Sequence, residues 1–291
     1  MKIKRTFGEV VFDIFNVILM FGILIACLYP LWYIFIASFS DVDAVAQGRV
    51  IVTPKGFNLS AYNEVFNTKN IWTSYGNTIF YSIVGTAMSM ALSATGAYTL
   101  SKRYLYGRKV LTWFVLLSMW FGAGLMPTYL NFKNLGLLDS RLGVLLCGSV
   151  STFNMILLRT YFESIPAELE ESAKLDGAND FYIFKNIYLP LSVPALMTVT
   201  MYYFVGRWNA YFWTMLIIQT ESKISLQVLL KKLVVEMSVN YSQAQGIDFQ
   251  STSRETMMYA TMVVAVLPML ILYPFIQKYF VKGIMVGAIK G

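Results

Sequence analysis

Long apolar stretches separated by short polar connections set the pattern of this chain. Six of them, about 10–38, 75–101, 110–130, 142–162, 191–217 and 257–280, are mostly apolar. Each has the ~20 residues a helix needs to cross a hydrocarbon layer of ~30 Å. No alternation of period two competes, so the pattern predicts helices and argues against a β-barrel. The first stretch is too long, and too far from a small-residue cleavage site, for a removed signal peptide. Asp13 and Asn16 near its start belong at the inner interface, because polar groups are costly at mid-membrane. Pro30, Pro127, Pro194, Pro268 and Pro274 fall within or at the ends of the stretches. Such kinks persist where neighbouring helices satisfy the freed carbonyls.

Composition agrees. Of 291 residues, 57% are hydrophobic and 13% charged, and the mean hydropathy is +0.57. Soluble domains run at about 45–50% apolar and about 25% charged. A soluble enzyme, a disordered chain and a fibrous protein are thereby excluded. There is no histidine, hence no imidazole metal site, His proton relay or Ser-His triad. Cys27 and Cys147 sit inside apolar runs without a CxxC pattern and read as packing residues.

The net charge of +7 is informative through its placement. Lys2, Lys4 and Arg5 open the chain, and Lys102, Arg103, Arg108 and Lys109 fill the second-to-third connection without an acid. Lys278, Lys282 and Lys290 lie in the tail, whereas the third-to-fourth connection has only Lys133 and Arg141. Both termini are predicted to be cytoplasmic. The connection 163–190 then lies on the same side, yet carries Glu163, Glu168, Glu170, Glu171, Asp176 and Asp180 against Lys174 and Lys185. That inverted bias suggests a docking surface.

The local chemistry of this connection predicts helix, glycine turn, helix. Ser164 can cap, Pro166 suits a first turn, and Glu168, Glu170 and Glu171 favour the positive end of a helix. Gly177 can end it in the left-handed conformation. A second short helix from about Asn179 bears Phe181, Tyr182, Phe184 and Tyr188, and Pro190 sits near the entry to the fifth span. Four aromatics in eight residues need a partner or the membrane interface.

The spacing here resembles the cytoplasmic signature loop of ABC importer permeases: Glu-Ala-Ala, three residues, Gly, nine residues, Ile-x-Leu-Pro. This chain has Glu171-Ser172-Ala173, then Gly177, then Ile187-Tyr188-Leu189-Pro190, with Asp176-Gly177-Ala178 in the usual form. Ser172 for alanine is the single departure. The resemblance extends to the carbohydrate-uptake, maltose-importer branch. It runs through Phe57-Asn58-Leu59-Ser60-Ala61-Tyr62, Asn77-Thr78, Gly96-Ala97-Tyr98, Ser101-Lys102-Arg103, Leu135-Gly136-Leu137-Leu138-Asp139, Trp208-Asn209 and the tail 281–291. Six spans fit the second, shorter permease of such pairs.

The resemblance implies an all-α integral membrane fold of about six transmembrane helices in one permease domain, 1–291. A cytoplasmic coupling loop would span about 163–190 and a cytoplasmic tail about 281–291. It implies oligosaccharide import with a second permease, two ATPase subunits, an extracytoplasmic solute-binding protein and the lipid of a bacterial inner membrane, and no nucleic acid. Glu171, Ser172, Ala173, Asp176, Gly177, Ala178, Ile187, Leu189 and Pro190 would couple to the ATPase. The chain has no GxxxxGK[ST] phosphate loop. No cofactor or metal is expected on it, and ATP with Mg is expected on the partner. The loop could otherwise be an interfacial helix pair, and Gly283, Gly287 and Gly291 could simply make a flexible terminus.

Other features stay open. A sugar path needs aromatic faces with amide or charged groups, for which the fifth span offers Tyr203, Arg207, Trp208, Asn209 and Tyr211. Aromatics also form interface belts. If Arg207 lines the path, an anionic sugar such as a uronate oligomer becomes attractive. Residues 225–234 read as an amphipathic helix on the outer interface or as a dock for the binding protein. Gly85, Ala87, Ser89, Ala91, Ser93, Ala94 and Gly96 predict close helix contact and offer a heterodimer seam. Rival functions are import of another solute, a polyol or glycerol phosphate ester, and an ATP-independent carrier. The second would need midplane carboxylates that the spans lack.

Overall fold

The computed structural model describes residues 6–243, 255–271 and 274, which fall into two compact units. The tail 281–291, and the end of the sixth predicted span, lie outside the described residues.

The first unit comprises residues 1–69 and 232–267. Helix α1 (Phe7–Ser38) is apolar on all sides and exposed along its most apolar stretch. A helix of that kind needs apolar surroundings, which the membrane supplies. Only its end is packed. Ile36 and Ala37 are buried with Ala44 and Val45 of α2 (Val42–Ala46) and with Val50. The loop is pinned back onto α1, where Trp32 Nε1 donates to the Val52 carbonyl at 2.8 Å and Tyr29 to that of Ile51 at 3.2 Å. Helix α3 (Ser60–Asn67) joins through Tyr62, whose hydroxyl lies 2.8 Å from that of Ser38. The later helix Glu255–Ile271 belongs to this unit through residue 267, and its Tyr259 meets Tyr33 edge-on.

The second unit comprises residues 70–231 and 268–291. Its axis is α4 (Lys69–Ser101), of 33 residues. With α1, it is one of two helices among the described residues long and apolar enough to cross a membrane unbroken. The third, fourth and fifth predicted spans are interrupted. The third is α5 (Arg108–Trp120) and α6 (Leu125–Asn134), meeting at a 112° bend. Gly124 takes φ +81° there, and Pro127 has no amide to continue the α5 ladder. The fourth is two short helices, α7 (Arg141–Leu146) and α8 (Thr152–Phe162), parted where Gly148 takes φ +65° and Ser151 caps α8. The fifth bends by 85° between Asp180–Leu191 and α12 (Val193–Trp208). It breaks again before α13 (Phe212–Ile217).

The small residues of α4 divide between two sides. Gly85, Ser89, Ser93 and Ala94 are buried inside the second unit, whereas Ala87 and Ala91 are exposed. A methyl group on Gly85 would lie 3.1–3.3 Å from the Arg207 side chain, and Ser93 meets the Tyr203 hydroxyl. The buried half is thus taken by contact within the chain and is not a heterodimer seam. The start of segment 225–234, read as an outer-interface helix or a dock for the binding protein, is likewise held inward, while Lys231 and Val234 are exposed. Asn77 donates to the carbonyls of Ser222 (2.8 Å) and Ile224 (3.0 Å), and Tyr81 to that of Lys223 (2.8 Å). Thr78 Oγ1 accepts from the amide of Leu226, at the start of α14 (Leu226–Gln243). These bonds bury Ser225, Leu226 and Val228.

Gly143 in α7 tests this packing. A Cβ there would sit 2.2 Å from the Leu137 carbonyl oxygen, a backbone atom that cannot rotate away. Gly143→Ala is expected to destabilise the protein by about 1–3 kcal/mol, measured as an earlier thermal transition of the purified protein in detergent. Gly76→Ala, inside α4 with nothing within 4 Å of the added methyl group, serves as the control.

Candidate functional site

The 163–190 connection folds as a helix, a glycine turn and a second helix. Helix α9 (Ala167–Leu175) opens at Pro166 and carries Glu168 and Glu170 in its first turn, where the helix dipole favours acids. Ser164 does not cap it. Its hydroxyl donates back to the Tyr161 carbonyl, closing α8 instead. Gly177 at φ +82° ends α9. The Ala178 amide donates to the Ala173 carbonyl at 2.9 Å and the Gly177 amide to that of Lys174 at 3.0 Å, the paired bonds of a glycine-closed helix end. Asn179 caps the next element, accepting from the Tyr182 amide. Helix α10 (Asp180–Ile183) passes through a π turn (Phe184–Tyr188) into α11 (Leu189–Leu191), which holds Pro190.

Glu171, Ser172, Asp176 and Gly177 form the exposed edge of this loop. Ala173, Ala178 and Ile187 face the other way and pack on a core of Tyr98, Leu158, Phe162, Ile183 and Tyr188. Leu189 is half-buried and Pro190 exposed. The aromatics split too: Phe184 lies 4.8 Å from the Tyr98 ring, while Phe181 and Tyr182 are exposed.

Beneath the loop lies a charged cluster that the motif does not include. Glu170, 9% exposed, pairs with Lys102, 6% exposed, at 2.6 Å. Its Oε2 also accepts from the Tyr188 hydroxyl at 2.7 Å, and Lys174 Nζ is 2.8 Å from its Oε1. The Lys102 ammonium sits 3.9 Å from the ring centres of both Tyr98 and Tyr188. Burial opposes the charge on Glu170. The hydrogen bonds from Lys102, Lys174 and Tyr188 outweigh it and hold the pKa at about 2. Removing one partner of a buried pair typically costs about 3–5 kcal/mol. The signal for this cluster was the i,i+4 spacing of Glu170 and Lys174. Its link to Lys102, 68 positions away, has no local signature.

A second candidate site lies deeper in the same unit. A cavity of about 360 Å³ is lined by Tyr203 and Arg207 of α12, with Asn154, Cys147, Tyr202 and Trp213 among others. Arg207 Nη1 donates to the Val144 carbonyl and Nη2 to that of Leu145, both at 2.9 Å. These are carbonyls at the end of α7, left without helical partners by the break. The Tyr203 hydroxyl accepts from the Ser151 amide at 2.9 Å on the far side of the same break. Among the described residues no carboxylate pairs with Arg207. Asn154 is buried on the cavity wall, and its carboxamide makes no hydrogen bond among the described residues. Trp208, Asn209 and Tyr211 do not line the cavity. Trp208 is buried between Phe204 and Tyr75, Asn209 closes α12 by donating to the Val205 carbonyl, and Tyr211 is exposed beside Phe212.

The turn before the fourth span is locked by Asp139, which sequence reading placed only as part of a phrase. It takes φ +51°. Its carboxylate accepts from the amides of Gln219 and Thr220, the Thr220 hydroxyl and Lys223 Nζ. Hydrogen bonding from Thr220 foremost, then Lys223, holds its pKa well below the carboxylate range.

Two outcomes follow. Arg207→Leu strands the Val144 and Leu145 carbonyls, and each is expected to cost about 1–3 kcal/mol, read as a lower unfolding temperature in detergent. For Glu170 the folded pKa is depressed, so its contribution is present above the ordinary value of 4.5 and is lost as pH falls toward about 2. Protease resistance of the 163–190 loop is expected to be flat from pH 8 to 5 and to drop below that window. Glu170→Gln should abolish the drop attributable to this residue.

Comparison with known proteins places the chain in a family. The pattern of the family described as "Binding-protein-dependent transport system inner membrane component" matches residues 109–286. The polygalacturonan/rhamnogalacturonan transport system permease protein YtcP of Bacillus subtilis (strain 168) is 41% identical, over 96% of this chain and 97% of its own. Protein LplC of the same organism is 37% identical, over 97% and 95%. A chain in the crystal structure of a bacterial ABC transporter involved in the import of the acidic polysaccharide alginate matches with a TM-score of 0.88. It is 41% identical, with 96% of this chain and 100% of that chain covered. The chain thus belongs to the inner membrane components of binding-protein-dependent transport systems, the permease subunits of ABC importers.

Proposed function

We propose that this permease carries acidic oligosaccharides, of the oligouronate class, in an ATP-driven importer. The observation that carries the reading is Arg207: a cation on the wall of a half-open cavity, with no carboxylate to neutralise it among the described residues. Its end-on donors are used by backbone carbonyls, so it acts through its field rather than as a direct clamp. A charge in a low-dielectric wall focuses that field into the cavity and favours an anionic solute over a neutral one. Asn154 offers a buried amide, and Tyr202 and Trp213 offer aromatic faces, the mixture that sugar binding uses. The named substrates of the relatives, polygalacturonan and alginate, support the same class.

In this reading the chain pairs with a second permease, two ATPase subunits and an extracytoplasmic binding protein. It is not itself an enzyme, and ATP and Mg are held by the partner. The exposed edge of Glu171, Ser172, Asp176 and Gly177 meets the ATPase, with the packed Ala173, Ala178 and Ile187 stiffening it from behind, and half-buried Leu189 and exposed Pro190 leading from the loop toward α12. Both termini and this loop are cytoplasmic, in keeping with the Lys and Arg bias.

The test is uptake and ATP hydrolysis by the complete complex in proteoliposomes, with binding protein loaded with acidic or neutral oligosaccharides of equal length. Acidic substrates are expected to be preferred by about tenfold, the equivalent of ~1.4 kcal/mol. Equal or better uptake of neutral oligosaccharides overturns the acidic class. Gly177→Phe is expected to insert normally and to lose most uptake, because the side chain strains a left-handed position on the docking edge. Unchanged uptake in that variant counts against the edge as the ATPase contact.

A further inference from the structure

We infer that Lys102 and Glu170 are positioning residues that tie the coupling loop to α4, making α4 the rod that carries the loop's motion to the cavity wall. The inference rests on the importer reading above, but names a transmission route which the signature motif does not contain.

Three observations carry it. First, the two charges come from different elements. Lys102 follows the last residue of α4, while Glu170 lies in α9 directly before the exposed docking edge. Second, the pair is embedded rather than superficial. The 2.6 Å ion pair is shielded by the Tyr98 and Tyr188 rings, and the Tyr188 hydroxyl bonds the same carboxylate oxygen. Tyr98 extends the link by donating to the Asp180 carbonyl at 3.1 Å, so α4 grips the loop on both sides of the Gly177 turn. Lys174 bridges Glu170 to Asp180 across that turn, at 2.8 and 4.0 Å. Third, the middle of the helix touches the cavity's cation. Gly85 lies against the Arg207 side chain, Ser89 accepts from its Nη2 at 3.3 Å, and Ser93 meets Tyr203. Lys102 stands seventeen positions beyond Gly85, just past the end of the helix, a rise of about 25 Å. An unbroken helix over that distance transmits displacement, whereas the third, fourth and fifth spans are interrupted.

Charge suits such a tie because it is directional. An ammonium held between two ring faces and bonded to a carboxylate has one geometry, while an apolar contact of equal volume can slide. The pair is therefore argued to preserve register between loop and helix, and a purely structural role would appear as lost assembly with coupling intact.

The experiment measures substrate taken up per ATP hydrolysed by the complete complex in proteoliposomes. Three variants are compared: Lys102→Arg, Glu170→Gln, and the double variant Lys102→Met/Glu170→Met, which fills the site without stranding a charge. Glu170→Gln and the double variant are expected to keep binding the ATPase but to lose uptake per ATP by about tenfold, the order expected when a coupling network is cut. Lys102→Arg, which keeps the charge but not the ammonium's geometry, is expected to fall between wild type and the double variant in uptake per ATP. If Glu170→Gln fails to assemble, the double variant decides. An assembled double-Met complex with wild-type uptake per ATP overturns the inference. A wild-type complex showing no ATP-dependent uptake of any oligosaccharide refutes the importer reading itself, a distinct outcome.

Discussion

Backbone polar groups inside an apolar layer must find partners within the protein, and this constraint shapes the second unit. Where the fourth span breaks between α7 and α8, the carbonyls of Val144 and Leu145 lose their helical partners and the Ser151 amide lacks one. Two side chains of α12, one turn apart, restore the balance: Arg207 donates to both carbonyls and Tyr203 accepts from the amide. Non-helical backbone at membrane depth is tolerated where it is buried in protein or lines a cavity, and here both hold. The break, the cavity and the half-buried cation are one feature. The break frees the carbonyls, the arginine answers them, and its charge then colours the space beside it.

Helix α4 makes that arrangement possible by being small where it must be. Gly85 lets the guanidinium lie against the helix backbone, and Ser89 and Ser93 supply hydroxyls to Arg207 and Tyr203. Membrane helices gain little from burying oil against oil, so close approach and hydrogen bonds are what hold them together. The N-terminal half of α4 follows the same logic, with Asn77, Thr78 and Tyr81 tying down residues 222–226. At its C-terminal end Lys102 and Tyr98 tie down the 163–190 loop.

Much of this was legible in the sequence. The apolar stretches located α1 and α4, and the coupling loop's helix, glycine turn and second helix followed from Pro166, Gly177 and Asn179. Those features are local, decided by φ preferences and caps within a few residues. The breaks were less legible, because Gly124, Gly148 and Ser192 occur in continuous apolar runs, and only tertiary partners make interruption affordable. Ser164 shows the limit of a cap rule: it closes the preceding helix rather than opening the next. In the cavity, Tyr203 and Arg207 were nameable from residue type and spacing. Asn154 was not, since nothing near it in the chain marks it as facing a cavity.

The two charged features answer different demands. Arg207 is fixed by carbonyls, which are dipoles and leave its net charge standing; Lys102 is fixed by a carboxylate, which cancels it. An uncancelled charge projects a field into neighbouring space, whereas a cancelled one contributes geometry alone. Each therefore sits where its physics is useful. On the proposed function, the open charge borders the cavity, where an anionic solute would gain from it. The closed pair sits under the loop, where a stray field would serve nothing and the inferred transmission would need a fixed register. Exchanging the two solutions would leave the cavity without a field and the coupling loop with a cation needing water beneath it.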